Sequence, residues 1–393
     1  MSNKPHLVMI VSRFPYPLEK GDKLRAFYQL KEFSRDFQVH LICTSEIKPK
    51  KEHIEAVKKH TESIEIHVIP KWQSYFSCLI QLLGSKPMQV AYFYSPWVKN
   101  KIARTLKKIK PDHIFCQLIR ATEYVKDYHQ CPKTLDYMDA LSAGIERRIQ
   151  LAPFYNKWLF KLEAKRLREY ETKVFDYFEH RYIISNQDKK LLVHPDKDKV
   201  ICSPNGVNPE FLKPHAKRTK FDLVFVGNLN YPPNIEAVKY IVQKILPLLN
   251  AKEKKYTFLA AGAQPNNELL NLSKKTDAMT LWSWVDHIED AYLAGKTFVA
   301  PMMIGTGLQN KLLEAMALRI PCVTSKLANN ALGATENKHL LIAYSAQDYC
   351  DKIEQLSNEE LGLSIQNEAH QFIEENFSWQ QQCGAITQQM LNA

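Results

Sequence analysis

The hydrophobic positions along the chain follow two alternating patterns. Short runs rich in Val, Ile and Leu predict buried strands, and segments with apolar residues three or four positions apart predict amphipathic helices. This alternation is typical of parallel sheets whose strands are joined by crossover helices, so the predicted fold class is α/β. The segment 143–176 contains one glycine and one proline, and we predict it to be helical. The predicted strands are 6–11, 39–43, 64–69, 113–116, 134–137, 182–184, 222–226, 256–260, 279–282, 298–301 and 321–324.

A cluster of Pro, Asn and Gly between the two halves predicts a domain boundary. Residues 203–209 read SPNGVNP, and these residue types favour turns because Pro presets φ and Gly accepts the left-handed region. We predict a first domain at 1–203, a second at 204–376 and a last helix within 377–393. The sequence does not assign this helix to either domain, and packing on the first domain is one option. Two α/β domains are expected to face each other across a cleft.

Composition narrows the class of protein. With 45% hydrophobic and 24% charged residues, the chain is globular rather than disordered or repetitive. Its apolar stretches are far shorter than the ~20 residues of a membrane-spanning helix, and its start lacks a signal-peptide pattern. We therefore expect a cytoplasmic protein. The eight cysteines have no paired spacing of the metal-binding kind, and we expect them to be reduced thiols, most of them buried.

The positive charge is concentrated in the first half of the chain. Residues 1–200 contain 36 Lys and Arg against 23 Asp and Glu, whereas residues 201–393 contain 17 against 19. Such asymmetry indicates an anionic partner, although a basic surface kept for solubility would look the same. The pattern of Trp97–Lys110 fits a helix lying on an anionic membrane through Trp97, Lys101, Arg104 and Lys108, or an ordinary crossover helix.

A strand, a glycine-containing loop and a helix follow one another at 298–317. Gly305 and Gly307 would let the backbone approach a ligand, and the start of a helix attracts phosphate. Lys311 and Glu314 are three positions apart and share one helical face. They fit a nucleotide diphosphate, with the lysine on the phosphates and the glutamate on the ribose hydroxyls. The alternative is a mutual surface ion pair.

The segment 307–317, GLQNKLLEAMA, resembles the donor-site helix of the retaining glycosyltransferases of family 4, which have the two-domain glycosyltransferase B fold. Its Gln-Asn-Lys form is most similar to the bacterial polysaccharide transferases linked to exosortase. Six further pieces that match in the same order are 13–17 (RFPYP), 20–25 (KGDKLR), 135–142 (LDYMDALS), 185–188 (SNQD), 204–208 (PNGVN) and 225–234 (FVGNLNYPPN).

This resemblance implies an enzyme that moves a sugar from a nucleotide-diphosphate sugar to a glycan or lipid-linked acceptor, with retention, in bacterial surface polysaccharide synthesis. It allows peripheral contact with an anionic membrane, at the inner face of the cell membrane. It also implies that the enzyme needs no cofactor. The donor-binding residues that it implies are Gly227, Asn228, Gly305, Thr306, Gly307, Leu308, Gln309, Asn310, Lys311 and Glu314.

The sequence also departs from the family pattern. Many family members have a glutamate at the position of Thr306, and an arginine and a lysine at the positions of Asn228 and Pro233. Two charges that hold the donor are therefore replaced, and Lys311 is expected to supply the missing cation. The alternative function is a degenerate relative that binds a nucleotide sugar as a sensor or scaffold.

The loop after the first strand is the second candidate region. Gly21 precedes a predicted helix, so its backbone would approach the donor phosphate, and Asp22 is grouped with it as a catalytic candidate. Lys23 and Arg25 are predicted to bind the acceptor. In the alternative interpretation Asp22 caps the helix, and the two cations are solvated.

Asp136 and Asp139 are the remaining catalytic candidates. They follow a predicted strand, at the edge where open α/β sheets bind ligands, and a carboxylate there would orient or deprotonate an acceptor hydroxyl. Asp139 is equally suited to capping a helix, and in retaining enzymes of this fold the leaving diphosphate itself can act as base. Arg120 is predicted to bind an acceptor phosphate or to pair with Glu123.

No metal site and no nucleic-acid module are predicted. Asp196 and Asp198 match the spacing of a metal-binding motif, but they follow Pro195 in a polar turn. The 13 histidines show no metal-ligand spacing, and no nucleic-acid-binding motif is present.

Overall fold

A computed structural model describes residues 4–151, 153–216, 218–252, 254–303 and 307–393. The chain forms two compact units. The first takes the described residues up to Pro204 together with Trp379–Ala393, and the second is Asn205–Ser378. The sequence-based division put the boundaries after residues 203 and 376.

The first unit contains a parallel sheet with the strand order β3-β2-β1-β4-β5-β6-β7. Its strands are β1 (His6–Val11), β2 (Gln38–Ser45), β3 (Ser63–Val68), β4 (His113–Gln117), β5 (Lys133–Asp136), β6 (His180–Ile183) and β7 (Ile201–Cys202). Its helices up to the boundary are α1 (Gly21–Phe33), α2 (Lys51–Lys58), α3 (Lys71–Ile80), α4 (Met88–Tyr92), α5 (Pro96–Ile109), α6 (Leu141–Leu151), α7 (Lys157–Phe175) and α8 (Asn186–Leu191). Short 3-10 turns occur at Ile119–Tyr124, Phe154–Asn156 and Lys197–Lys199.

The second unit contains a parallel sheet with the order β10-β9-β8-β11-β12-β13. Its strands are β8 (Phe221–Val226), β9 (Phe258–Ala261), β10 (Met279–Trp282), β11 (Gly295–Ala300), β12 (Cys322–Thr324) and β13 (Leu341–Ile342). Its helices are α9 (Pro232–Tyr240), α10 (Leu246–Asn250), α11 (Asn267–Lys275), α12 (Ile288–Leu293), α13 (Asn310–Ala317), α14 (Lys326–Leu332), α15 (Ala346–Gln355) and α16 (Glu359–Asn376). A 3-10 turn at Pro209–Leu212 opens the unit, and a π-helical turn at Ile241–Ile245 joins α9 to α10.

The central strand β1 shows why both sheets are apolar on two faces. Leu7, Met9 and Val11 pack into one core cluster, and Val8 and Ile10 pack into the cluster on the opposite face. Since successive side chains of a strand point to opposite faces, a continuous apolar run requires helices on both sides. The predicted α/β class with parallel sheets is confirmed in both units.

The predicted helix at 143–176 is two helices. α6 ends at Leu151, and α7 begins at Lys157 after a 3-10 turn that follows Pro153. Proline has no backbone N–H and disfavours helical φ and ψ in the residue before it, so the single proline of the segment separates the two helices.

The last helix, α17 (Trp379–Leu391), belongs to the first unit. The ring of Trp379 stacks on that of Tyr28 of α1, with centroids 5.0 Å apart. Cys383, Ile386 and Met390 are buried in the same core cluster. The helix that closes this core is thus separated in sequence from the rest of its unit by the whole of the second unit.

Helix α5 has the ordinary orientation of a crossover helix. Val98, Ile102 and Leu106 are buried against the sheet, while Trp97 remains exposed with the ammonium of Lys101 stacked 3.6 Å from its ring centroid. The apolar face of this helix is therefore used inside the protein. The stripe of Val98, Ile102 and Leu106 is thus not free to enter a membrane, and contact of α5 through its other residues stays a prediction.

Over the described ranges, no helix is both long and apolar enough to span a bilayer. All eight cysteines carry free thiols, and Cys78, Cys131 and Cys202 are only half-buried.

Candidate functional site

The candidate donor residues of the second unit lie at the carboxyl ends of its parallel strands. Gly227 follows β8, and Met302 follows β11. In open α/β sheets this edge is the one at which ligands bind, because the loops that leave the strands converge there.

Two glycines bring the loops at this edge into close contact. Gly262, which follows β9, has φ of 150°, and a Cβ at this position would lie 1.8 Å from the carbonyl oxygen of Gly227. A Cβ on Gly227 would lie 2.8 Å from Nδ2 of Asn234. Neither position can therefore accept a side chain without displacing its neighbours. The absence of side chains allows Asn234 to approach the end of β8.

Asn234 is a central residue of the site that the sequence analysis did not single out. It is buried, its Nδ2 donates to the carbonyl oxygen of Asn228 at 2.8 Å, and its Oδ1 accepts from Nζ of Lys311 at 2.5 Å. The side chain of Asn228 accepts from the backbone N–H of Asn230 at 2.9 Å and so stabilises the turn after Gly227. Asn234 thus links the loop after β8 to helix α13.

Lys311 is a partly buried cation whose direct partners are neutral. Besides Asn234, its Nζ lies 3.3 Å from Oε1 of Gln309 and 3.8 Å from the sulfur of Met302. Burial lowers the pKa of Lys311 to about 7, and the charge of nearby Glu314 opposes this shift. The ammonium therefore has neutral hydrogen-bond partners and no described carboxylate in direct contact.

Glu314 lies on the same helix and has a different partner. Its Oε2 accepts a 2.6 Å hydrogen bond from the hydroxyl of Tyr292, a buried residue of α12. Burial raises the pKa of Glu314 to about 7, while Tyr292 and Lys311 act in the opposite direction. Between these two described side chains the structure contains no direct ion pair, so the predicted surface ion pair is wrong. Tyr292 was also missed in the sequence, since only the packing of α12 on β8 and β11 brings it here.

The loop before α13 is only partly described. Gly305 and Thr306 lie outside the described residues. Gln309 occupies the N-cap position, and its Nε2 donates to the carbonyl oxygen of Gly307 at 2.9 Å. Oδ1 of Asn310 accepts from Nδ2 of Asn205 at 3.0 Å. Leu308 is partly buried and packs against the core of the second unit.

In the first unit, α1 begins at Gly21, and Lys20 is its N-cap residue. Asp22 lies in the first turn and is not the N-cap residue, but its carboxylate accepts from the backbone N–H of Lys23 at 3.1 Å as well as from Arg13. Gly21 is exposed, and a Cβ there would meet no described atom within 4 Å. The start of α1 is therefore open to a ligand.

A basic cavity of about 330 Å³ adjoins this helix start. Its lining includes five cations and the carboxylates of Glu19 and Glu46. Burial lowers the pKa of Lys23, which indicates that its charge is incompletely compensated. Such a cavity favours an anionic ligand. The five cations are Arg13, Lys20, Lys23, Lys48 and Lys50.

Arg25 and Asp136 are both fully buried, and Nε of Arg25 donates to Oδ2 of Asp136 at 2.6 Å. Nε2 of Gln29 donates to the same oxygen at 2.7 Å. This pair joins α1 to the end of β5. Burial and mutual pairing favour a structural role over contact with an acceptor for both residues.

Asp139, three positions after β5, is placed differently. Its side chain is half-buried, and burial together with the charge of Asp188 raises its pKa to about 6. Arg25 and Arg120 oppose the shift. A carboxyl group with this pKa exchanges its proton near neutral pH, as general acid–base chemistry requires.

Arg120 is held near Asp139 by polar and aromatic contacts. Its guanidinium donates to Oε1 of Gln89 at 2.6 Å and lies 5.4 Å from the ring centroid of Phe93. Glu123 instead pairs with Lys86 and Lys126 at 2.6 Å each, so the predicted pairing of Arg120 with Glu123 is wrong. Burial and the charge of Arg13 lower the pKa of Arg120 to about 10.

The described residues hold no group of three or more His, Cys, Asp and Glu side chains arranged as metal ligands. Asp196 pairs with Lys199 at 3.1 Å, and Asp198 lies in a short 3-10 turn. These two residues therefore have the surface-turn environment that the sequence predicts.

Comparison with known proteins relates this geometry to a family. Residues 220–359 match the model of the family Glycosyl transferases group 1. The whole chain superposes on sucrose-phosphate synthase from Thermosynechococcus elongatus with a TM-score of 0.73 and 13% identity, and 99% of each chain is covered. HepE from Anabaena in complex with UDP-glucose gives a TM-score of 0.69 and 12% identity, with 99% of this chain and 100% of HepE covered.

The chain has the glycosyltransferase B fold, and most of its second unit matches the glycosyl transferases of group 1. The resemblance and fold predicted from the sequence are confirmed, and the group 1 match includes Lys311 and Glu314. A relative of this protein, described as an uncharacterized 44.6 kDa protein in the cps region of Klebsiella pneumoniae, is 25% identical over 395 residues. The match covers 94% of this chain and 96% of the relative.

The lowered pKa of Lys311 predicts a specific dependence of stability on pH. Between about pH 7 and its ordinary pKa of 10.5, the unfolded chain keeps this proton while the folded protein releases it. The unfolded state then binds more protons, so the free energy of unfolding rises with pH in this window. We expect Lys311→Met to lose about 1 to 2 kcal/mol of that rise. Denaturant titrations at pH 7 and pH 9 measure it, with Lys274→Met as the surface control, and equal rises in all three proteins would contradict it.

Proposed function

We propose that this protein is a glycosyltransferase that transfers a sugar, with retention, from a nucleotide-diphosphate sugar to a glycan or lipid-linked acceptor in bacterial surface polysaccharide synthesis. The observation that carries the proposal is the placement of Lys311. A desolvated ammonium without a contacting carboxylate lies at the start of a helix and at the ligand-binding edge of the sheet.

A diphosphate would satisfy this arrangement. It brings negative charge to Lys311, raises the pKa of the ammonium again and replaces the solvation that burial removes. The backbone N–H groups at the start of α13 add a positive dipole on the same side. Lys311 thereby takes over the role of the cations that are absent at Asn228 and Pro233. These groups stabilise the diphosphate as charge develops on it during transfer.

Glu314 is suited to the hydroxyl groups of the donor. Its Oε2 is occupied by Tyr292, and the remaining carboxylate oxygen can accept from ribose hydroxyls. Because Tyr292 fixes the orientation of the carboxyl group, little side-chain entropy is lost when the donor binds.

The acceptor is assigned to the first unit. Asp139 would accept a hydrogen bond from the attacking hydroxyl, and Arg120 and Lys23 would bind an anionic group of the acceptor. The basic cavity beside α1 supports an acceptor that carries phosphate or carboxylate. Asp22 contributes by holding Arg13 at the rim of that cavity.

Two relatives support the substrate classes. The Anabaena HepE structure contains UDP-glucose, and the Klebsiella relative is encoded in a cps region, which fits polysaccharide synthesis. The replacement at Asn228 favours one competing function, a sensor or scaffold that binds a nucleotide sugar without turnover. Measured transfer, and the anomeric configuration of the product by NMR, distinguish the two.

We expect nucleoside diphosphates to stabilise the protein in the presence of a metal chelator, because Lys311 and the helix start meet the diphosphate charge. At a hundredfold excess over Kd the gain is ~2.7 kcal/mol. Thermal unfolding with UDP, GDP and ADP, each with EDTA or with Mg²⁺, measures it and identifies the base. No shift with any nucleotide, or a shift that requires the metal, would contradict the proposal.

We expect Glu314→Gln to weaken donor binding or turnover by about tenfold while the fold is retained, because a charged acceptor makes a stronger hydrogen bond than an amide by ~1.5 kcal/mol. Donor affinity and melting temperature are measured together. Glu268→Gln, at an exposed carboxylate of the same unit, is the matched control. A variant that melts much earlier yet keeps its donor affinity would make Glu314 a structural residue.

We expect Asp139→Asn to lower the transfer rate by about a hundredfold and to leave nucleotide binding unchanged. Since the carboxylate is the active form and its pKa is about 6, the rate of the unaltered enzyme should rise as the pH passes through that value. The variant should lose this rise. Asp127→Asn, at an exposed carboxylate of the first unit, should behave like the unaltered enzyme. An unchanged profile in Asp139→Asn would leave the leaving diphosphate as the base.

A further inference from the structure

Helix α3 is amphipathic in the reverse sense, with its apolar side turned to solvent. Its apolar residues recur at helical spacing, and every one of them is exposed, from 53% for Ile80 to 71% for Trp72, while Leu83 just beyond the helix is 99% exposed. The residues on its inward side are polar or small. Ser74 is buried there, and the thiol of Cys78 donates a hydrogen bond to the carbonyl oxygen of Met88. The exposed set is Trp72, Tyr75, Phe76, Leu79, Ile80, Leu82 and Leu83.

A helix of a water-soluble domain ordinarily buries its apolar stripe. Here the orientation is fixed by contacts on the polar side, such as the hydrogen bond from Gln73 to Ser95 at 3.3 Å. Seven exposed apolar side chains lie on this helix and the loop after it, and exposed apolar patches of this kind mark interaction sites.

A second group of exposed aromatic residues lies on a neighbouring element. Phe154, Tyr155 and Trp158, at the start of α7, are 86%, 61% and 60% exposed. Further along α7, Glu163 accepts from the backbone N–H of Met88 at 2.7 Å, and Arg166 donates to the carbonyl oxygen of Gln81 at 2.5 Å. These bonds attach α7 to the loop that leaves α3, so both groups belong to one region of the first unit.

The chain segment that contains α3 is strongly basic, although Glu46 lies 3.7 Å from Lys71 and Glu163 bonds to the loop after α3. Residues 66–111, which include α3 and α5, contain eight Lys and Arg and no Asp or Glu. On α7, Lys157, Lys161 and Lys165 are exposed beside Trp158. Aromatic residues bordered by lysine and arginine are the combination that binds the interface of a bilayer with anionic lipids, where the rings enter the headgroup region and the cations meet the lipid phosphates.

We propose that α3 and the start of α7 form a membrane-docking face that inserts its exposed aromatic and aliphatic side chains into an anionic lipid surface. This face replaces α5, whose apolar stripe is buried, as the contact for the basic half of the chain. A second copy of the chain is the competing occupant. The charge argues against it, because two such faces would bring like charges together.

The test uses the full-length protein and vesicles of phosphatidylcholine with or without phosphatidylglycerol. The double variant Trp72→Gln/Leu79→Gln removes two exposed side chains of α3. Its control, Trp284→Gln/Leu363→Gln, removes the same residue types from exposed positions of the second unit. We expect the α3 variant to lose about tenfold in partitioning onto anionic vesicles and the control to lose nothing. Binding of the unaltered protein should weaken as salt rises.

Insertion itself is measured by quenching of tryptophan fluorescence with brominated lipids. We expect quenching in the unaltered protein and a clear reduction in Trp72→Phe, which should retain binding. No nucleotide enters these assays, so their result is separate from that of the proposed transfer reaction. The proposal is overturned if the unaltered protein does not bind anionic vesicles, if the α3 variant binds as well as its control, or if the variant changes only self-association measured by sedimentation.

Discussion

All the strands of both described sheets run in parallel, and this single constraint determines where chemistry can occur. Parallel strands need a crossover after each strand, so the loops that leave the strands collect at one edge. In the second unit this edge unites residues as distant in sequence as Gly227, Asn234 and Lys311. In the first unit it brings Asp22, at the start of α1, and Asp139 within electrostatic reach of Arg120. Helices are needed on both sides of each sheet, because both faces of a parallel sheet are apolar and must be covered.

The two units treat buried charge in different ways. In the first unit Arg25 and Asp136 neutralise each other in full burial, and breaking such a pair would leave one unpaired charge in the core. In the second unit Lys311 and Glu314 each bind a neutral partner, and burial moves both pKa values toward neutrality. The first arrangement holds elements together, whereas the second leaves two charged groups without a charged partner in direct contact. This contrast distinguishes the two kinds of buried charge better than their positions in sequence do.

The sequence predicted the strands well because a buried parallel strand leaves a continuous apolar run, and it located α13 because glycines precede an amphipathic helix. It could not identify Asn234 or Tyr292, whose roles depend on packing between segments far apart in the chain. It also placed Asp136 and Asp139 in one class, although burial beside Arg25 separates them. Periodicity reveals that α3 and α5 are amphipathic, but it does not say which face turns inward. Only the neighbours do so, and they bury the apolar side of α5 and the polar side of α3.

The packing of α17 on α1 has a consequence for how the protein is made. The ring of Trp379 completes a core whose other members, such as Tyr28, Leu30 and Phe33, leave the ribosome long before it. The second unit has its own continuous segment of chain and can close its core first, as domains of large proteins generally fold as units. The amino-terminal unit must wait with an uncovered apolar surface until the second has been synthesised. Order of synthesis and order of completion are therefore reversed in this chain.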